Sequence, residues 1–164
     1  MWKVSPVSLS SATMTPAGYH SVTPSLTVAD GRAALDFYTR ALNATELFRI
    51  EDPISEKLMH AEFQIGNSRM MISDEFPALG SYAPTDGTGG AFMIYVADVD
   101  DSFTKAIYEG ATVLQEPADQ FWGDRTARVA DPFGYRWSFA THIRDVTPEE
   151  IAKAVSEWSA ANEG

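Results

Sequence analysis

The sequence contains no cysteine and few basic residues. The first absence excludes disulfide bonds, thiolate metal sites and cysteine nucleophiles together. Only 12 Lys and Arg stand against 23 Asp and Glu, so the formal net charge is -11. A surface this acidic repels phosphate backbones and favours a cationic ligand, so we expect no nucleic-acid partner. No apolar run is long enough to cross a bilayer, which predicts a cytoplasmic protein with no membrane partner.

The remaining composition is that of one folded domain with short extensions. The chain has 164 residues, of which 45% are hydrophobic, enough for a core. Residues 1–18 are rich in Ser, Thr and Pro and show no periodicity, so we predict a flexible N-terminal arm. Residues 147–150 read Thr-Pro-Glu-Glu, a capping box that predicts a helix within 146–164. The folded domain is then expected at 19–145.

An internal repeat organises that domain. The segment Val28-Ala29-Asp30 recurs as Val96-Ala97-Asp98, 68 residues later, and Ala44-Thr45 recurs as Ala111-Thr112, 67 residues later. In each copy an apolar strand leads to an Asp that can cap an amphipathic helix, and further strands follow. We therefore predict two βαβββ modules, at 21–76 and 91–142, joined by a linker at 77–90.

Period-two alternation locates the strands that follow each helix. The pattern indicates an α+β fold in which the two modules form a curved mixed sheet around a cup, because neither half can bury a face alone. The predicted strands are 46–50, 58–65 and 69–73 in the first module, and 112–115, 126–130 and 135–141 in the second.

Five short segments accompany the paired modules: 23–26 (TPSL), 59–62 (MHAE), 72–75 (ISDE), 119–125 (DQFWGDR) and 131–134 (DPFG). With these segments the chain resembles the vicinal oxygen chelate superfamily, which includes glyoxalase I, extradiol dioxygenases and bleomycin-resistance proteins. The finer resemblance is to its PhnB-like branch. It implies a cup-shaped sheet around a small-molecule cavity, commonly in a homodimer, and it implies the fold more firmly than the function.

The resemblance also implies where a divalent metal would be held. Glyoxalase I-like members use four His, Glu or Gln side chains, one from each of four strands. The corresponding positions here are Thr23, Ala91, Ser138 and one residue of strand 69–73, which has no His or carboxylate. None of these is a good ligand, so we expect the usual metal centre to be absent.

His60 and Glu62 are the candidate catalytic residues. Alternation along 58–65 directs His60, Glu62 and Gln64 to the cup, and Met59, Ala61, Phe63 and Ile65 to the core. Two interpretations stay open. The pair supplies two metal ligands, with a third from Asp74 or His142, or it is a hydrogen-bonded pair that orients a ligand. His20, beside the arm, is expected to have no chemical role.

The same alternation gives the other residues that line the cup. In the first strand it directs Val22 to the core, and in the last strand it directs Ala140 to the cup. The segment 117–125 is too long for a tight turn, so Phe121 and Trp122 are expected to cover a ligand or to plug the sheet, with Asp124 and Arg125 paired. The predicted ligand-binding residues are Thr23, Ser25, Gln64, Met93, Tyr95, Phe121, Trp122, Arg125, Arg136 and Ser138.

Two functions follow from these residues. The first is binding of a small organic molecule, as bleomycin-resistance proteins do, which the missing metal ligands and the acidic charge favour. The alternative is a metal- or His-dependent lyase, isomerase or dioxygenase-type enzyme acting on an oxygenated or aromatic compound. S-adenosylmethionine binding has no support, because no Gly-rich loop follows the first strand.

Overall fold

Two βαβββ modules follow each other in a computed structural model that describes residues 14–85 and 87–162. Module one forms a four-stranded sheet, sheet one, in the order β1-β4-β3-β2, and module two forms sheet two in the order β5-β8-β7-β6. The first strand of each module is parallel to its last, and the other neighbours are antiparallel. The elements are β1 (Ser25–Val28), α1 (Gly31–Leu42), β2 (Thr45–Glu51), β3 (Leu58–Ile65), β4 (Ser68–Asp74), β5 (Ala91–Tyr95), α2 (Val99–Tyr108), β6 (Thr112–Asp119), β7 (Asp124–Ala130), β8 (Arg136–His142) and α3 (Pro148–Asn162).

The repeated Asp residues cap equivalent helices. The carboxylate of Asp30 accepts a hydrogen bond of 2.9 Å from the amide of Ala33, at the start of α1. Asp98 accepts one of 3.0 Å from the amide of Asp101, at the start of α2. Each cap satisfies one of the backbone donors that a helix leaves free at its N-terminus.

One apolar core joins the two modules, with α1 at its centre. The ring of Tyr38 stacks on Phe63 of sheet one at 5.5 Å and meets Trp137 of sheet two edge-on at 5.3 Å. Phe37 contacts Phe133 of module two at 5.9 Å. The modules thus turn their helix-covered faces toward each other, and each sheet presents its other face, here called the outer face, away from the helices.

Two residues depart from the predicted alternation, and a third, Ala140, follows it but is buried. Met59 is 51% exposed while Leu58 is buried, because the pairing of β2 with β3 skips Met59 and reverses the phase at that point. Val22 is 84% exposed and precedes β1, which begins only at Ser25. Ala140 faces outward beside Tyr95 and Thr126 but is fully buried.

The predicted loop at 117–125 is instead the end of a hairpin. Strand β6 continues to Asp119 and β7 starts at Asp124, so only four residues form the turn. Gly123 closes this turn with φ +98°, a backbone conformation that favours glycine. Its carbonyl accepts hydrogen bonds from the amides of Ile143 and Arg144, and these bonds fix the chain that leaves β8.

The segments before and after the two modules are an N-terminal stretch beside sheet one and the C-terminal helix α3. Most of the arm predicted at 1–18 lies outside the described residues, and residues 14–23 pack beside sheet one. At the other end, Thr147 and Glu150 exchange both hydrogen bonds of a capping box at the start of α3. Of the helices that the structure describes, none is long and apolar enough to span a membrane.

Candidate functional site

An open pocket of about 390 Å³ lies against the outer face of sheet one. Glu62 of β3 and Met71 of β4 are directly paired neighbours and line this pocket. Thr23, ahead of β1, lies beside them, and Tyr19 and His20 of the preceding segment line the same pocket. The structure therefore brings the predicted residues Thr23 and Glu62 together, and it places His20 with them.

The carboxylate of Glu62 is held in its charged form. Its pKa is lowered, first by the hydroxyl of Tyr19, then by His60, with the positive charge of Arg69 adding to the effect. The pKa of Tyr19 is raised by the same contact and by burial. Glu62 is therefore suited to hold a positive charge or a hydrogen-bond donor, and it is a weak proton acceptor.

Two buried donors beside Glu62 make no hydrogen bond of good geometry to the residues that the structure describes. The guanidinium of Arg69 lies 4.9 Å from the ring centroid of Tyr19. Neither Arg69 Nε nor the Tyr19 hydroxyl makes a well-formed hydrogen bond to any residue that the structure describes, although both atoms are buried; the contact between Tyr19 and Glu62 falls short of that geometry. Buried donors of this kind are uncommon and call for a partner.

His60 stands next to this pocket. Its Nε2 lies 3.5 Å from Oε1 of Glu62, at the limit of a hydrogen bond. Its ring also contacts Phe48 of β2, at 6.5 Å between centroids. Both His60 and Glu62 are partly exposed, so a ligand in the pocket can reach the pair.

The two residues considered as third metal ligands are engaged elsewhere. Asp74 is buried and accepts hydrogen bonds from the amides of Gly31 and Leu58, at 2.6 and 2.7 Å. His142, in the other sheet, lies 2.9 Å from Asp124 and 3.0 Å from Asp145. Within residues 14–85 and 87–162, no three His, Asp or Glu side chains form a group able to hold a metal ion.

The donors at the positions implied for the metal do not fit a divalent ion. In module one, Thr23 and Met71 offer a hydroxyl and a thioether beside Glu62. In module two, Ala91 offers no donor and Ser138 a hydroxyl. Hard divalent ions prefer carboxylates, and zinc prefers imidazole or thiolate. The residues present therefore disagree with the metal centre that the resemblance implies.

The predicted residues of module two form a separate set on sheet two. Met93 and Tyr95 of β5 are exposed and border a pocket of about 300 Å³ against the β3–β4 turn. Arg136 and Ser138 of β8 lie on the same outer face, opposite Ala91 and Met93. Among the described residues, no hydrogen bond or ion pair joins this set to His60, Glu62 or Thr23.

The hairpin tip of module two corrects one prediction. Asp124 and Arg125 do not pair, because adjacent strand residues point to opposite faces. Arg125 turns to the helix side and binds Asp100 of α2 at 2.6 Å and Asp119 at 2.8 Å, so it cannot contact a ligand on the outer face. Phe121 and Trp122 meet edge-on at 4.9 Å and stay partly exposed.

Two further predicted residues, Ser25 and Gln64, do not line the pocket at Glu62. Ser25 is exposed at the edge of sheet one. The side-chain Nε2 of Gln64 donates a hydrogen bond to the carbonyl of Gly66 within the β3–β4 turn. Three residues of the site, Tyr19, Arg69 and Met71, are not among those predicted from the sequence. The pairing of Met71 with Glu62 follows from strand register, but nothing in the local pattern indicates that Tyr19 returns to the sheet.

With this geometry established, comparison with known proteins identifies the family. The model of the Glyoxalase/Bleomycin resistance protein/Dioxygenase superfamily matches residues 18–139. The chain belongs to this superfamily, and the predicted α+β fold of two βαβββ modules is confirmed by its structural neighbours.

Particular relatives extend the likeness over most of the chain. An uncharacterised protein of Mycobacterium tuberculosis is 40% identical over 141 residues, which cover 83% of this chain and 82% of that protein. The crystal structure of TioX from Micromonospora sp. ML1 has a TM-score of 0.60 at 26% identity, covering 74% of this chain and 97% of that one. PhnB protein from Bacillus cereus, with a TM-score of 0.56 at 12% identity, covers 74% and 99% and shows the fold alone.

Proposed function

We propose that this protein binds a small organic molecule in the pocket on the outer face of sheet one, without the four-ligand metal centre. The single observation that carries the proposal is Glu62, whose partly exposed carboxylate lines the wall of that pocket. A ligand that brings a cationic group to this carboxylate would pair with its charge. The net charge of -11 attracts the same class of ligand.

Titration with a matched pair of probes tests this proposal. Choline carries a quaternary ammonium, and 3,3-dimethyl-1-butanol is its neutral carbon isostere. By NMR titration we expect choline to bind at least tenfold more tightly and to shift the amides of Glu62 and Met71. Glu62→Gln should remove that preference, while Glu116→Gln, an exposed carboxylate on β6, should keep it. Equal binding of both probes, or an unaffected Glu62→Gln variant, would reject a cationic ligand at Glu62.

The alternative function is catalysis by His60. Its support is the 3.5 Å approach of His60 to Glu62 on an accessible face: the carboxylate can orient the imidazole, which then acts as general base. Once a compound that binds and is converted has been found, His60→Ala should abolish turnover and leave binding within a few-fold. His142→Ala, in the other sheet, is the matched control, and unchanged turnover in His60→Ala removes the assignment.

The metal state is an independent measurement. Because the donor set fits a divalent ion poorly, we expect elemental analysis of untagged protein, dialysed against zinc, nickel and manganese, to find well under one ion per chain. One tightly held ion per chain would make His60 and Glu62 the first candidates for metal ligands, and it would favour the proposal that the protein is a metal-dependent enzyme.

We further propose a homodimer in which the β2 side of sheet one packs against a second copy, so that the pocket at Glu62 and the outer face of sheet two stay open. The support is the exposed apolar surface on that side, which includes Phe48 and Met59. Sedimentation equilibrium should give twice the chain mass of 18.0 kDa, and a monomer at micromolar concentration would reject the dimer. Membership of the PhnB-like branch and a cytoplasmic location also stay proposals.

A further inference from the structure

Two arginines lie side by side on the outer face of sheet two. Arg128 of β7 is directly opposite Ser138 of β8, and Arg136 of β8 is directly opposite Ala130 of β7. The two arginines are therefore diagonal neighbours on adjacent strands, a position at which the backbones of the two residues are about 7–8 Å apart. Both are exposed, and their long side chains can converge on one point above the sheet.

Neither arginine has a carboxylate partner among the residues that the structure describes. Each of five other arginines has a carboxylate within 3.4 Å: Arg32, Arg40, Arg49, Arg125 and Arg144. In a chain with 23 acidic residues, two neighbouring guanidinium groups without a counter-charge are an exception. Like charges at this separation repel, and an anion held between them adds two attractive interactions that outweigh this repulsion.

The surroundings of the pair are small or apolar. Ala91, Ala130 and Ser138 lie next to the arginines and have short side chains, and Ser138 adds a hydroxyl donor. On the next strand, Met93 and Tyr95 expose an apolar and an aromatic surface on the same face. A ligand can thus place an anionic group at the arginines and an apolar body along β5.

We propose that the outer face of sheet two binds the oxyanion of a small organic molecule. Arg128 and Arg136 hold the oxyanion by charge-assisted hydrogen bonds, Ser138 donates a third, and Met93 and Tyr95 contact the apolar body. This site goes beyond the function proposed above, since it lies on the other module and takes the opposite charge.

Isotope-edited NMR titration with three probes of one shape tests the site. Benzoate and phenylphosphonate carry the two common oxyanions, and benzamide is neutral. We expect one or both anions to shift the amides of residues 128, 136 and 138 and to bind at least tenfold more tightly than benzamide. Tighter binding of benzoate would indicate a carboxylate ligand, and tighter binding of phenylphosphonate would indicate a phosphonate or phosphate ligand. Shifts scattered over the chain, or equal binding of benzamide, would overturn the proposal.

Charge-neutral variants show which side chains hold the anion. Arg128→Gln and Arg136→Gln should each weaken anion binding tenfold or more, Arg136→Lys should weaken it less, and Arg32→Gln should leave it unchanged. Glu62→Gln should also leave it unchanged, so a failure of this proposal is distinct from a failure at the pocket of sheet one. If Arg128→Gln and Arg136→Gln dissociate a dimer in sedimentation and do not weaken benzoate binding, the arginines pair with a second copy and the proposal is wrong.

Discussion

The hydroxyl of Tyr38, on helix α1 of module one, donates a hydrogen bond of 2.9 Å to Oδ2 of Asp131 in module two. The same oxygen accepts from the indole nitrogen of Trp137 at 2.8 Å, and the other carboxylate oxygen accepts from the amides of Phe133 and Tyr135. Burial and the neighbouring carboxylate raise the pKa of Tyr38 well above its usual value. One buried carboxylate therefore joins the two modules.

We predict that Tyr38→Phe lowers the free energy of unfolding by about 1.5–3 kcal/mol, because it removes a hydrogen bond to a charged, buried acceptor. Urea denaturation followed by tryptophan fluorescence measures the change. Tyr108→Phe is the control, since Tyr108 is 87% exposed and should change stability by less than about 0.5 kcal/mol. Equal stability of the two variants would contradict the role of Asp131 as a link.

A second buried carboxylate, Asp74, ties the end of β4 to two other elements. Its oxygens accept from the amides of Gly31 and Leu58, so Asp74→Ala leaves two buried donors without partners. We expect a loss of at least about 2 kcal/mol, at about 1–3 kcal/mol for each unsatisfied amide. Chemical denaturation of Asp74→Ala and of Asp36→Ala, an exposed site on α1, makes the comparison; similar stabilities would refute the prediction.

The turn at Gly123 is sensitive to a single added carbon. A Cβ there would come within 2.1 Å of the carbonyl oxygen of Arg144, in addition to the strain of φ +98°. Gly110 has a comparable φ of +111° with open space around it. Both substitutions place a Cβ at a positive φ, so this strain is common to the two variants, and only Gly123→Ala adds the clash with Arg144. We therefore predict that Gly123→Ala is less stable than Gly110→Ala by at least about 1 kcal/mol. Thermal unfolding of the two variants measures this difference, and equal melting temperatures would show that the backbone at Arg144 yields.

His142 makes stability depend on pH. Hydrogen bonds to Asp124 first and Asp145 second raise its pKa above 6.5. A group whose pKa rises on folding stabilises the folded state fully below its unfolded pKa, near 6.5, and less as the pH rises through the folded pKa. The stability difference between the wild type and His142→Gln should therefore be largest near pH 5.5 and shrink on going to pH 8.5. Denaturation series at both pH values, with His20→Gln as control, test the sign; a growing difference would refute it.

Much of the fold can be predicted from the sequence because helix capping and strand alternation depend on residues that are close together in the chain. The duplicated Asp30 and Asp98 cap helices at equivalent places, and the strict alternation of Ala61, Phe63 and Ile65 marks a buried stripe in β3. In both cases the deciding interaction lies within four residues along the chain, so a pattern in sequence is enough.

The candidate site depends more on contacts between distant segments. Met59 leaves the stripe because of a bulge against β2, and Arg125 finds Asp100 on α2 in preference to its neighbour. The return of Tyr19 to Glu62, and the diagonal placement of Arg128 and Arg136, depend on chain path and strand register. No single segment encodes these relationships, so alternation predicted which residues face outward but not which of them meet.

The turning of both helix-covered faces toward each other has a consequence for which positions can vary. Alternate residues of one strand serve separate purposes: in β3, Ala61 and Phe63 maintain the shared interior, while His60 and Glu62 are left outside it. Mutations at the outward positions can change ligand chemistry without disturbing the inward ones. The outward positions of the two modules differ in charge, with Glu62 in one module and Arg128 and Arg136 in the other. A repeated scaffold of this kind can therefore carry two surfaces of unlike chemistry, because each outer face can vary independently of the shared interior.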